Sequence, residues 1–559
     1  VSSDTLQLQE QLLKMRREAE ERDAQRRASS NGIPYLALAK VSVNLEALEL
    51  VAYEKAKEAQ MAIIEARDEK LAVIVVDPKY SQTVKMLEQL KGEGYKPTIY
   101  IVSRPSLEYA FGYYRFVQKK QKEISGAVQV GSSEAGDVSQ QDLGSIVKAR
   151  NAIITRNDPG AISQLLEIIL MGAIANRSSD IHLEPRKGAV HLRFRIDGVL
   201  NDVFNQFSGP VYRSMLSRIK LLSNLKLNVR DEPQDGRFTI TLTKKDVEVR
   251  VAIAPSEFGE VVVMRLLDPD VIALDLQDLG LRPDDLVIIG EQLDRPNGMA
   301  LNTGPTGSGK TTTLYAFLKH KLNPGIKIIT IEDPIEYHLE GVEQTQVKEE
   351  SGYTFGSGLR SLMRQDPDVI LVGEVRDKET AEIAVQAALT GHLVFSTVHA
   401  NSASAGIPRL LDLGVKPSSL APALNLLIAQ RLVRRVCTSC RVPEKIDEAM
   451  KKKIETFVNA IPDRVDKKKY LDTITIFKPQ GCEVCNDTGF LGRIGIYELM
   501  MVTPEIQELI IKEVGQLEIE RAVAKTAFVS MQQDGVLKVL SGITTFEEVE
   551  ETTGKIEWK

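Results

Sequence analysis

The feature that most constrains this chain is an octapeptide, Gly304-Pro-Thr-Gly-Ser-Gly-Lys310-Thr311. It sits between the apolar run Met299 to Asn302 and the helix-forming TTTLYAFLKH. The pattern G-x-x-x-x-G-K-[ST] between a strand and a helix is a phosphate-binding loop. Its glycines let backbone N–H groups turn inward on phosphate oxygens. Lys310 adds a point charge, the helix start adds about half a positive charge, and the Thr311 hydroxyl can ligate magnesium. Gly304, Pro305, Thr306, Gly307, Ser308, Gly309, Lys310, Thr311 and Thr312 are therefore the candidate nucleotide-binding set.

Such a loop works at the carboxyl edge of an open parallel sheet. From Leu286 onward the stretches ALNTG, KIITIED, DVILVGEV and HLVFSTVHA alternate with helical segments, which predicts a mainly parallel sheet covered by helices. The second strand runs into Glu332, Asp333 and Glu336, and the third into Gly373-Glu374. Acidic residues at such strand ends hold the metal or orient the attacking water. Two of the six histidines, His392 and His399, bracket the fourth strand. His399 is expected to sense the terminal phosphate or its water; His392 is a second candidate, with a core or capping role as its alternative.

A length of 559 residues predicts three or four domains. Residues 1–31 are expected as a charged helical tail, solvated or docked onto a partner, and 32–117 as a small α/β module with strands at 71–77 and 98–103. Residues 118–156 are Gly/Ser-rich and polar and are expected to form a flexible linker. An α+β domain should occupy 157–272, opening on the helix AISQLLEIILMGAIANR. The motor-like α/β domain fills 273–559.

All four cysteines fall in two C-x-x-C pairs, Cys437/Cys440 and Cys482/Cys485. Each pair can present two thiolates to one ion, which suits tetrahedral Zn²⁺ in an insertion spanning about 436–487. Redox-active or packed free thiols are the alternative.

Together these blocks resemble the secretion ATPase superfamily of type II secretion and type IV pilus assembly, the GspE/PilB-type motors. In that family they are the Walker A loop, an Asp box (TIEDPIEY), an atypical Walker B segment (DPDVILVGEVRD) and a His box (TGHLVFSTVHAN). The segments IANRSSDIHLEPR, VHLRFRIDGVL and EPQDGRF look like its second, PAS-like N-terminal domain. The 32–117 module is similar to its first. The resemblance implies a RecA-like motor that hydrolyses ATP to ADP with Mg²⁺. Catalysis would use Lys310, Glu336 as general base, Glu374 supporting magnesium and water, and His399 at the phosphate end. Thr311, Glu332, Asp333 and Glu374 would be associated with Mg²⁺. It also implies a homohexamer whose arginines reach a neighbour's nucleotide. Arg193, Arg195, Arg218, Arg230 and Arg237 are the candidates from the second domain; Arg360, Arg364 and Arg431 are those from the motor. Asp231 departs from the family's usual basic residue beside Arg230. Implied partners are an inner-membrane platform protein and a membrane-linked adaptor for the N-terminal domain. The tetracysteine region resembles assembly ATPases, which retraction ATPases generally lack.

Composition bears on the rivals. The net charge of −6 and a single Trp count against a nucleic-acid motor with stacking platforms. The intact Lys310, Glu336 and Glu374 weigh against a non-catalytic scaffold. No run reaches the 18 or so apolar residues of a membrane span, and the first thirty residues carry no secretory h-region. The chain is thus expected in the cytoplasm, peripheral to the inner membrane. Type II secretion and pilus assembly remain equally open.

Overall fold

A computed structural model gives the fold and describes residues 19–37, 44, 47–48, 50–51, 53–67, 70–92, 94–114, 127–129, 145–156, 162–242, 245–272, 274–472 and 474–558. The chain divides into two compact units, residues 1–125 and 126–559, each described by itself.

In the first unit, β1 (Met61–Arg67) pairs antiparallel with β2 (Lys70–Val75), which pairs in parallel with β3 (Lys96–Ile101). Helix 19–31 is not a free tail, because Ala24 and Ala28 are buried in this unit's core. Its Glu21 carboxylate accepts hydrogen bonds from Tyr35, Ser103 (2.7 Å) and Ser106 (3.1 Å), and Arg27 donates to the Val76 carbonyl (2.6 Å), so a charged helix is held by polar anchors as well as by its alanines. The expected tail thus ends before residue 19, and residues 1–18 lie outside the described residues.

The second unit begins with β4 (Ala127–Gln129), paired in parallel with β8 (Gln234–Thr241). The helix Ile146–Thr155 follows, with Ser145 capping Lys148 N and Ala149 and Ile153 buried. Both lie inside the expected linker 118–156. The Ile146–x–x–Ala149–x–x–x–Ile153 spacing supplies an apolar stripe that composition alone obscures. The rest of that expected linker, 118–126 and 130–144, lies outside the described residues. The α+β domain's sheet also contains β5 (Ser178–Arg186), β6 (Ala189–Ile196), β7 (Val199–Phe207), β9 (Asp246–Ser256) and β10 (Gly259–Leu267), in the order β4-β8-β9-β10-β5-β6-β7. The helices Ile162–Ala175 and Gly209–Leu222 share its core.

The motor sheet has the order β13-β12-β14-β15-β11-β16-β19, comprising β11 (Gly298–Thr303), β12 (Ile328–Glu332), β13 (Glu343–Gln346), β14 (Val369–Val372), β15 (Leu393–Val398), β16 (Leu424–Val436) and β19 (Phe490–Met501). All neighbours are parallel except β16 and β19. Alternate residues of the central strands enter two separate cores: Ile370, Val372, Val394 and Val398 on one face, Val369, Leu371, Leu393 and Phe395 on the other. Burial on both faces explains the near-continuous apolar runs. Between β16 and β19 lie β17 (Val442–Glu444) and β18 (Ile476–Lys478), paired antiparallel, and the helix Glu448–Asn459. That helix's Ile454, Phe457 and Val458 share a core with Val529 and with Val536 and Leu537 of the helix Met531–Leu540. The insertion is therefore built into the fold.

Candidate functional site

The phosphate loop leaves β11 at its carboxyl end. Gly304, Gly307 and Gly309 have φ of 154°, 78° and 88°. A Cβ at Gly304 would meet the Gln430 carbonyl at 2.8 Å, and one at Gly309 the Gln430 amide nitrogen at 2.8 Å, so both glycines are dictated by close approach. Gln430 on β16 is fixed in turn by Asn302 (3.0 Å) and Thr313 (2.8 Å), which donate to its Oε1. Lys310 donates to the loop's own Gly304 and Pro305 carbonyls at 2.7 and 3.0 Å. Burial holds its ammonium below the ordinary range; the Glu374 carboxylate opposes this and the Arg431 guanidinium adds to it. The Lys310–Lys321 helix starts here, with Thr311 exposed, and the buried Ser308 hydroxyl has no partner. These donors fit a nucleotide's phosphates.

Glu374 lies just past β14 and is 14% exposed; it accepts from Arg376, and its Oε2 is 3.3 Å from His399 Nε2. The backbone aligns the two, since Val375 N donates to the Thr397 carbonyl (2.9 Å) and the Thr397 hydroxyl to that of Gly373 (2.8 Å). Asp333, after β12, is 3.6 Å from Arg376. Lys310, Glu374, His399 and Asp333 therefore gather at one sheet edge.

Two expected residues stand apart. Glu332 is 4% exposed; Thr330 (2.6 Å) and Gln344 (3.2 Å) donate to one oxygen and Tyr315 to the other. Burial raises its carboxyl above the ordinary value, against those donors. Both Glu332 oxygens thus accept from protein donors, which sets it apart from Asp333 and Glu374. His392 Nδ1 donates to the Ala387 carbonyl (3.0 Å), and its own carbonyl accepts from Gly298 N (3.1 Å). It caps the helix Lys378–Leu389 at the amino end of β15. Six strand residues separate it from His399, so the two are seven rises apart, about 23 Å at about 3.3 Å per residue.

The arginines divide sharply. Arg193 pairs with Glu184, and Arg195 lies 3.5 Å from Asp180, both inside the α+β domain. Arg360 pairs with Glu379, and Arg364 donates to the Arg360 carbonyl. Arg218 is half-buried and Arg230 exposed. Arg431 donates to the Gln430 and Asn401 carbonyls (3.0 and 3.2 Å), next to the phosphate loop. The residue missed from sequence is Arg250. It lies 3.6 Å from Glu336 and donates to the Ile335 carbonyl at 2.6 Å. The register pairs Arg250 with Arg237 on one side and Arg265 on the other, and Arg265 with Asp180, which pairs with Arg195. Like charges directly opposite one another destabilise a sheet. This row faces a cavity of about 930 Å³ shared with Glu336 and Gln346. A lone Arg inside the apolar strands VEVRVAIA and VVVMRLL was the available signal.

The four Sγ atoms lie within 4.8 Å of one another, with Cys437–Cys482 at 3.9 Å, Cys440–Cys485 at 3.8 Å and Cys482–Cys485 at 3.7 Å. Four sulfurs placed about 2.3 Å from one zinc ion would be about 3.8 Å apart, so the donor set fits Zn²⁺ and is far from disulfide spacing. Cys482 N and Gly489 N point at Cys485 Sγ (3.2 and 3.3 Å), donors suited to a thiolate.

A family model described as "Type II/IV secretion system protein" matches residues 155–551, and one described as "MshEN domain" matches 31–118. The chain is 37% identical over 523 residues to "Type IV pilus assembly ATPase PilB" of Myxococcus xanthus, covering 93% of this chain and 88% of that one. It is 42% identical over 429 residues to "Type II secretion system protein E" of Pseudomonas aeruginosa, covering 77% and 83%. The solved ATPase DotB of Yersinia pseudotuberculosis aligns with TM-score 0.50 and 22% identity over 70% of this chain and 93% of that one, a likeness of fold. With the phosphate loop, the Glu374–His399 pair and these matches in hand, the chain belongs to the type II/IV secretion system protein family and is an ATPase of that family.

Proposed function

We propose that this ATPase is a Mg²⁺-dependent homohexameric motor that powers assembly of a type IV pilus or a type II secretion pseudopilus through an inner-membrane platform protein. The observation that carries the reading is the gathering of Lys310, Glu374 and His399 at one sheet edge, with the Glu374 charge acting on Lys310. Loop N–H groups and Lys310 would bind the β- and γ-phosphates, and Thr311, Asp333 and Glu374 would hold Mg²⁺, which supplies charge neutralisation of the phosphates. Glu374, oriented by His399, holds the attacking water in line. Glu336 takes the water's proton as general base, with Arg250 fixing the segment that carries it. The Arg237–Arg250–Arg265 row, whose members pair with Glu248, Glu336 and Asp180 yet all line the cavity, is suited to meet the charge building on a transferred phosphoryl group. In the ring that group would belong to a neighbouring subunit. The cysteines would hold a structural Zn²⁺, which supports assembly over retraction.

Among the described residues no helix is long and apolar enough to cross a membrane, so contact with the platform would be peripheral. The test is steady-state ATP hydrolysis on size-exclusion fractions, with and without Mg²⁺, for wild type and Lys310→Ala. Turnover that follows the hexamer, needs Mg²⁺ and vanishes in the variant is expected. Turnover by the monomer at the hexamer's rate would overturn the ring, and Mg²⁺-independent turnover would overturn the metal assignment.

A further inference from the structure

The cysteine knuckle touches more than its own insertion. Asn486, one residue past Cys485, sits at φ 51° and donates from Nδ2 to Asn176 Oδ1 at 2.8 Å. Asn176 is 3% exposed, lies at the end of the helix Ile162–Ala175, and spends its own amide on the Gly172 carbonyl (2.6 Å). On the same side, Gly492 N donates to Asp197 Oδ2 at 2.8 Å. Asp197 and Gly198, at φ 49° and 89°, form the two-residue turn between β6 and β7. A Cβ at Gly198 would stand 3.9 Å from an Arg493 guanidinium nitrogen. The end of one helix and one tight left-handed turn of the α+β domain are thus apposed to the motor's cysteine hairpin. Asn486 adjoins the Cys482–Cys485 knuckle directly, and Gly492 lies near the start of β19, where the chain leaving the knuckle re-enters the motor sheet.

We propose that the four-cysteine cluster is an interdomain latch: with its metal bound it fixes the 482–492 segment against Asn176 and the 197–198 turn, coupling the α+β domain to the motor. The inference rests on the cysteines holding zinc, which metal analysis reads separately. Without the ion, four close sulfurs have no common partner to hold the knuckle in place, and a hydrogen bond between two short side chains cannot hold it alone. The metal then governs how firmly one domain follows the other through a catalytic cycle.

The test is hydrogen–deuterium exchange on the full-length protein, in three forms: native, zinc-stripped by a chelator, and Asn486→Gly combined with Asp197→Gly. Glycine accepts the left-handed backbone at both positions, so the double variant removes the contacts and keeps the cysteines. Zinc content is measured in each. The expected result is about one zinc per chain in the native and double-variant forms. Exchange around residues 174–200 should be at least about 10-fold faster in both altered forms, while β8, β9 and β10 keep their protection. Native protection at 174–200 in the zinc-stripped form would overturn the latch and leave the zinc site standing. Protection lost equally across β8–β10 would make the metal a staple of the whole fold and also overturn the latch. Absence of zinc from the native protein would remove the metal reading itself and the latch with it.

Discussion

Two regions of the motor domain are equally rich in charge and differ in what the charges are doing. Behind the sheet, Arg282 reaches Asp284 (3.1 Å), Asp285 (2.7 Å) and Asp534 (2.5 Å). Arg464 pairs with Asp284 and with Asp285 (2.9 Å), and Lys538 pairs with Asp534. Three cations meet three carboxylates; Asp285 and Asp534 are fully buried and Arg282 is 5% exposed. At the carboxyl edge, by contrast, His399 is 52% exposed, Arg376 59% and Glu336 31%, and Lys310 donates its hydrogen bonds to loop carbonyls, with no carboxylate among the described residues in direct ion-pair contact. Saturated and buried charge joins the helix that starts at Pro283 to the insertion and the C-terminal helices. Unsaturated charge at strand ends is available to a ligand. The difference separates architecture from chemistry better than the count of ionisable residues does.

The comparison breaks most visibly at Asp534. Asp534→Ala leaves Arg282 and Lys538 buried without their shared partner, which should cost about 3–5 kcal/mol of stability. The single Trp, Trp558, packs edge-to-face against Phe457 and Phe546 in the adjoining core and reports unfolding in urea. Turnover per folded molecule should stay within about two-fold of wild type. A midpoint shift worth less than about 1 kcal/mol would mean the network is no more than a surface cluster.

Glu374→Ala should do the reverse. Its partners Arg376 and His399 are exposed and can rehydrate, so unfolding should move by less than about 1 kcal/mol. Turnover should fall at least about 100-fold, near 2.7 kcal/mol of transition-state stabilisation, with nucleotide binding retained. Near-normal turnover would remove Glu374 from the chemistry. Arg250→Ala should cost about 10-fold in kcat with little change in KM, since it acts by holding the Ile335–Glu336 segment. An equal loss in Arg193→Ala, whose guanidinium is already spent on Glu184, would place the functional arginine elsewhere.

Much of this contrast was legible in the sequence because strand ends announce themselves. An apolar run followed by Gly-Glu or Glu-Asp-Pro locates both the sheet and its working edge, and the cysteine spacing marks its own cluster. The pairing of strands was not legible. Arg250 became visible as a site residue only when the register set it between Arg237 and Arg265 and the chain fold brought it to Glu336, 86 residues later. Glu332 differs in the opposite direction. Its position resembles its neighbours', but the donors that saturate it come from Tyr315 on the helix behind and Gln344 on the edge strand, neither of which sequence proximity reveals. The helix at 146–155 was hidden by averaging composition over a polar stretch in which three apolar residues share one face.

The smallest expected effect is also the most discriminating, because it compares two histidines on one strand. His392 and His399 have the same chemistry and flank the same six residues, so any difference between them reports their ends of the sheet. His399→Gln removes a ring that contacts Glu374 and should slow turnover about 10-fold. His392→Gln exchanges one helix-capping polar group for another. The Gly298 N to His392 carbonyl bond that ties β11 to the amino edge is made by backbone and is untouched. Turnover should remain within about two-fold and stability within about 1 kcal/mol. Steady-state hydrolysis and urea unfolding of the two variants side by side decide the matter. If His392→Gln slowed hydrolysis as much as His399→Gln with stability unchanged, the amino edge would have to carry chemistry, and the division between the two ends of β15 would fail.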